Sequence, residues 1–95
     1  MNIELQIFEI FHFSRGEVIF VGKLNQEIPV VTPNCKYTAT LIVNNLIYLQ
    51  NIDIAGERIG GRNPERYRSI STMTEIDLNS DFIHNNDCKL ILVAL

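Results

Sequence analysis

Two strand-length apolar runs, Ile3-Glu-Leu-Gln-Ile-Phe-Glu-Ile-Phe-His-Phe13 and Glu17-Val-Ile-Phe-Val-Gly-Lys-Leu24, flank the three-residue joint Ser14-Arg15-Gly16. Runs rich in Ile, Val and Phe, separated by a short joint ending in glycine, specify a β-hairpin. The hairpin sets the class of the whole chain. With 14 isoleucines, no tryptophan and little alanine, β-branched residues dominate an apolar fraction of 46%. That composition favours strands over helices.

The remaining pattern extends the same class. Strand one, near 3–13, is expected to bury Ile3, Leu5, Ile7, Phe11 and Phe13 on one face, with Phe8 and Ile10 covered on the other. Strand two, near 17–24, is apolar on both faces, as a central strand is. Gly16 and Gly22 are expected at a turn and a bulge, where glycine's freedom at φ > 0 is useful. Pro29 and Pro33 bracket a connection, Glu27 to Lys36, that cannot sustain pairing. Strand three covers 38–43, and Asn44-Asn45 forms a two-residue turn because Asn tolerates the left-handed conformation. Strand four covers 46–54 and ends at Ala55-Gly56. Segment 56–68, with Gly56, Gly60, Gly61 and Pro64, reads as a loop or frayed ribbon. Strand five, near 69–78, alternates Ile70, Thr72, Thr74, Ile76 and Leu78 against Ser69, Ser71, Met73, Glu75 and Asp77. Asn79-Ser-Asp81 is a turn or a cap for one helical turn at 82–84. Asn85-Asn-Asp87 is a further turn, and Cys88–Leu95 is a strand too apolar for an exposed edge.

Six strands on short links with no long helix give an all-β fold, a small six-stranded antiparallel barrel. Closure removes the edges a short open sheet would leave. The 95 residues fit a single domain, 1–95. The core is expected to gather Ile7, Phe11, Val18, Phe20, Leu41, Ile70, Ile76 and Leu92.

The net charge of −3 conceals an asymmetry. Segment 58–68 (RIGGRNPERYR) carries Arg58, Arg62, Arg66 and Arg68 against Glu65, a local +3, and the rest of the chain holds −6. An acidic body with one basic segment argues against bulk nucleic-acid binding and leaves a local anion contact open. Gly60-Gly61 between Arg58 and Arg62 has the makings of an anion nest, and also of a hairpin loop with solvated arginines. Tyr67, between Arg66 and Arg68, is placed to stack on a base or simply to pack beside a strand. These five residues, Arg58, Arg62, Arg66, Tyr67 and Arg68, are the candidate binding set.

Other chemistry finds little footing. No G-x-S-x-G elbow positions a serine for attack, and the chain is expected to be non-catalytic, without a cofactor. His12 is expected at a barrel mouth and His84 in a solvated turn. Cys35 and Cys88 read as unrelated free thiols, a disulfide being the alternative. With the two histidines they could number four zinc ligands, but no close C-x-x-C or H-x-x-x-H pair exists. Asp77, Asp81 and Asp87 lack the EF-hand order and are explained by turn formation. No window approaches the roughly 18–20 apolar residues of a membrane helix. Glu4 and Glu9 near the start leave no signal-peptide pattern, which points to the cytosol.

The segment Ile7-Phe8-Glu9-Ile10-Phe11 through Ser14-Arg15-Gly16-Glu17-Val18-Ile19-Phe20-Val21-Gly22-Lys23-Leu24 resembles the second domain of translational GTPases such as elongation factor Tu. Arg15-Gly16 and Val18-x-x-x-Gly22-Lys23-Leu24 fall at the distances of that family's opening hairpin. The resemblance covers residues 3–24. After it, Gln26-Glu27-Ile28-Pro29 replaces the family's usual Gly-Asp turn. It implies a rigid barrel that contacts the aminoacyl end of tRNA or the ribosome, while a separate P-loop domain hydrolyses GTP. This chain contains no G-x-x-x-x-G-K-[ST]. Two functional expectations follow: a binding module contacting a protein or RNA through 58–68, or a small inhibitor or immunity-type partner using the acidic surface. Oligomeric state is left open.

Overall fold

The computed structural model describes residues 3–25, 37–59 and 67–94. In chain order the elements are β1 (Ile3–His12), β2 (Val18–Leu24), β3 (Tyr37–Val43), β4 (Leu46–Ile59), β5 (Arg68–Thr72), α1 (Ser80–Asn85) and β6 (Cys88–Ala94). All six strands pair antiparallel in one closed barrel, ordered β1-β2-β5-β4-β3-β6. The all-β, six-stranded antiparallel barrel read from the sequence is the fold observed. β2 lies between β1 and β5, and β6 between β3 and β1, so these apolar strands are both paired on two sides.

Local chemistry explains the turns. Between β1 and β2, Gly16 takes φ 94°, and the Phe13 N–H donates to Glu17 O at 2.9 Å. Asn44 and Asn45 take φ 50° and 66°, the two left-handed positions of a tight hairpin joining β3 to β4. α1 is capped by Asn79, whose side-chain oxygen accepts the Phe82 N–H at 2.9 Å.

Bulges account for the departures from simple alternation. In the β1–β2 ladder Ile7 faces Gly22 and Glu9 faces Val21, leaving Phe8 as an extra residue. One inserted residue reverses the parity of everything after it. Leu5, Ile7 and Ile10 therefore point inward, whereas Phe11 is 49% exposed and Phe13 46% exposed. The expected burial of these two phenylalanines is overturned for that reason. The other seven expected core residues are buried. β4 carries further register shifts against β3, with Asn51 at φ 59°, and another against β5 at Ala55. Ala55-Gly56 thus bends β4 without ending it, and the strand runs on to Ile59. Such bulges curve strands enough to close a small barrel.

β5 stops sooner than its alternation suggests. The Thr72 hydroxyl donates to Asp53 O at 2.5 Å and accepts the Thr74 N–H at 3.0 Å, folding the chain out of the ladder. Alternate burial nevertheless persists, and Ile76, Leu78 and Ile83 join the core cluster. The core centres on Phe20, Leu5, Leu41, Ile52, Ile70, Leu90 and Leu92, each under 2% or at 2% exposed.

Candidate functional site

An antiparallel barrel sorts its connections between two ends. The β1–β2 turn, the Asn44-Asn45 turn and the α1 crossover share one end, here called the upper end. β4 finishes and β5 begins at the other, lower end. Among the described residues, β4 ends at Ile59 and β5 begins at Arg68 at the lower end, where the two chain ends of the basic segment stand. Glu75, Asp77, Asp81 and Asp87 belong to the crossover above.

At the lower end the five candidate binding residues fare differently. Arg58 stands opposite Ser69 in the β4–β5 ladder. Arg62 and Arg66, with Gly60 and Gly61, lie outside the described residues. Tyr67 is 47% exposed and meets Phe8 edge-on, with ring centroids 6.1 Å apart at 77°. Arg68 is 4% exposed and occupies an inward position in register with Ile70 and Thr72, where it is partnered. A guanidinium enclosed in this way has no exposed face for a partner, so Arg68 leaves the surface set. The signal was available, because Arg68 is in phase with the alternation once β5 is started one residue earlier.

Phe8 was missed as a surface residue because simple alternation cannot reveal a bulge. It also lines an open cleft of about 250 Å³ with Glu4, Gln6, Lys23, Asn25 and Lys89. Gln6 pairs with Lys23 on one side and Lys89 on the other, so the three form one row across β2, β1 and β6. The Gln6 amide is held by Asp87 Oδ1 at 2.9 Å and Cys88 O at 3.1 Å.

At the upper end His12, expected at the mouth, has Nε2 2.5 Å from Leu78 O. His84 Nε2 lies 2.9 Å from Glu9 Oε2, tying α1 to β1. The Glu9 carboxyl is held below its ordinary value, first by a hydrogen bond from Ser80, then by the Ile10 N–H and His84. The Ser80 hydroxyl also lies 3.3 Å from Ile10 O. Ser80, His84 and Glu9 thus tether the helix, and no serine–histidine contact of a nucleophilic pair is formed among them.

The acidic residues have separate local tasks. Asp77 accepts from the Tyr48 hydroxyl at 2.7 Å, and Asp87 accepts from Gln6. Among the described residues no group of three His, Cys, Asp or Glu side chains is arranged to hold a metal ion. No described helix is long and apolar enough to cross a membrane. Cys88 is a free, buried thiol whose pKa burial pushes up, with a smaller contribution from Asp87. Cys35 lies outside the described residues, as does the whole Glu27–Lys36 connection around it.

A second surface was not foreseen. Leu46, Ile47 and Tyr48 are 73%, 61% and 43% exposed just after the Asn44-Asn45 turn. Three successive large apolar residues cannot all face inward on a strand, and that was the available signal. Set against family models, curated proteins and solved structures, the chain matches none of them.

Proposed function

We propose that this chain is a non-catalytic binding module of the translation-factor barrel type, contacting protein or RNA through the arginine-bearing segment 58–68. The observation that carries the reading is the exposed Phe8–Tyr67 pair, standing where that segment joins β5. Exposed rings next to cations are how single-stranded nucleic acid is gripped without sequence readout. Lys23 and Lys89, on either side of Gln6 in the cleft that Phe8 lines, add positive charge to the same outer face. Of the two partners, single-stranded RNA fits this combination better. The closed barrel supports a platform role, because Phe8 projects from a bulge within β1 and Tyr67 directly precedes β5, so both rings start from strands of the barrel.

Ultraviolet cross-linking to a single-stranded RNA oligomer, mapped by mass spectrometry, tests the reading. Adducts are expected at Tyr67 or Phe8, and Tyr67→Ala should weaken binding about 5-fold or more, since stacking on one base is worth roughly 1–3 kcal/mol. Adducts confined to the upper end would contradict it. A second reading, a small inhibitor-type protein using its acidic surface, is favoured by one observation. Glu75 and Asp77 line a cleft with Tyr48, beside the exposed Leu46 and Ile47.

A further inference from the structure

The upper hairpin tip departs from an ordinary surface. Single exposed apolar residues are normal, but a contiguous exposed apolar group marks an interaction site. Here three large apolar side chains, Leu46, Ile47 and Tyr48, are exposed on one hairpin tip. The tip is also held in place. The Asn44 N–H donates to Asp87 O at 2.8 Å, the Asp87 N–H donates to Asn44 Oδ1 at 3.0 Å, and Asn44 Nδ2 donates to Asn86 Oδ1 at 2.8 Å. A surface ordered before binding loses less entropy when a partner arrives.

Its flank specifies charge. Tyr48, Leu49, Glu75 and Asp77 line a cleft of about 420 Å³ next to the tip. Among the described residues neither carboxylate forms an ion pair and no lysine or arginine lines the cleft. The Tyr48 hydroxyl donates to Asp77 at 2.7 Å, and its ring leans against Phe82 at 6.5 Å, which fixes the ring beside the two acids. An aromatic ring with adjacent carboxylates suits an ammonium or guanidinium group.

We infer that the tip Leu46–Tyr48 is a docking surface for a protein partner presenting a cationic side chain beside apolar ones, the cation entering the cleft of Tyr48, Glu75 and Asp77. The inference rests on the second reading above, in which the acidic surface is the one that binds. An RNA is disfavoured here because phosphates would face Glu75 and Asp77. A two-fold contact with a second copy is disfavoured because it would bring the same patch of each copy together, doubling the carboxylates with no described lysine or arginine in the cleft to offset them.

The test titrates isotope-labelled protein with two short synthetic peptides, one alternating arginine with leucine and one alternating arginine with glycine, followed by amide chemical shifts. The account expects the arginine–leucine peptide to bind more tightly. It should shift the amides of Leu46, Ile47, Tyr48 and Asp77, and lose about tenfold in affinity in Leu46→Ser and Ile47→Ser. Both residues are largely exposed, so these variants retain the fold, and their unshifted core resonances check that. Equal binding of both peptides, unaffected by the two variants, would overturn the tip as the reader while leaving the acidic-surface reading standing. Failure of both peptides to bind would overturn the two together. Tip shifts that depend on protein concentration with no peptide present would assign the surface to self-association and refute the partner.

Discussion

Gly22 sits where the backbone carbonyl of Gln6 leaves no room for a side chain: a Cβ at Gly22 would stand 1.9 Å from that oxygen and 2.7 Å from its carbon. Glycine is required there by close approach of β1 at the edge of the Phe8 bulge, since Ile7 is the residue facing Gly22. Gly22→Ala should therefore destabilise by about 3 kcal/mol or more, at or beyond the top of the usual overpacking range. Gly56→Ala is the matched control, because among the described residues its Cβ would meet Ser71 Oγ at an ordinary 3.6 Å. Chemical denaturation of the two variants checks the contrast, and equal midpoints would refute the bulge geometry.

Phe20 is 0% exposed at the centre of the barrel. Phe20→Ala should cost roughly 3–5 kcal/mol. Phe11→Ala should cost far less, because Phe11 lies half in solvent beyond the bulge. Urea unfolding of the pair reports the register of β1 directly. A Phe11 loss matching that of Phe20 would restore the unbulged strand.

The architecture was legible because closure, strand number and turns all follow from local chemistry. Asn44-Asn45, Gly16 and the Asn79 cap each stand where residue type alone puts them. What escaped was parity. Phe8, Tyr48 and Ala55 are surplus residues in their ladders, and a bulge costs the sequence no visible mark. The one at Phe8 reverses the parity of the strand after it, exposing Phe11 and Phe13. The candidate site is legible as a charge segment, but a strand that starts at Ser69 leaves Arg68 outside the inward alternation it joins. The hairpin tip is legible only in the run Leu46-Ile47-Tyr48, since three successive residues of a strand cannot all face inward.

Glu9 couples stability to acid. Its folded pKa lies below the ordinary 4.5, so its contribution is complete above that value and is lost as pH falls through the depressed one. Melting temperature should decline as pH is lowered below about 4.5, and Glu9→Gln should decline less over the same interval. An identical pH profile for the two proteins would show that the Ser80, Ile10 and His84 contacts do not hold the carboxylate.

Cys88 is 0% exposed, and burial raises its thiol pKa. At neutral pH it should resist alkylation in the native protein and react only on unfolding, because the thiolate is the reactive form. Peptide mapping after iodoacetamide treatment, with and without denaturant, measures this. Prompt labelling of Cys88 in the native state would mean that β6 is not packed between β1 and β3.

The proposal that segment 58–68 makes the functional contact is tested most directly by the salt dependence of RNA binding. Fluorescence anisotropy of a labelled single-stranded RNA would be followed across a salt series for the wild-type chain and for the Arg62→Ala, Arg66→Ala double variant. The account predicts that log affinity falls linearly with log salt concentration. It also predicts that the double variant loses about 1.4 from the slope, roughly 0.7 for each phosphate contact on a single strand, while its melting temperature stays within a few degrees. A double variant with unchanged affinity and slope, or a wild-type chain that binds no RNA at low salt, would contradict the account.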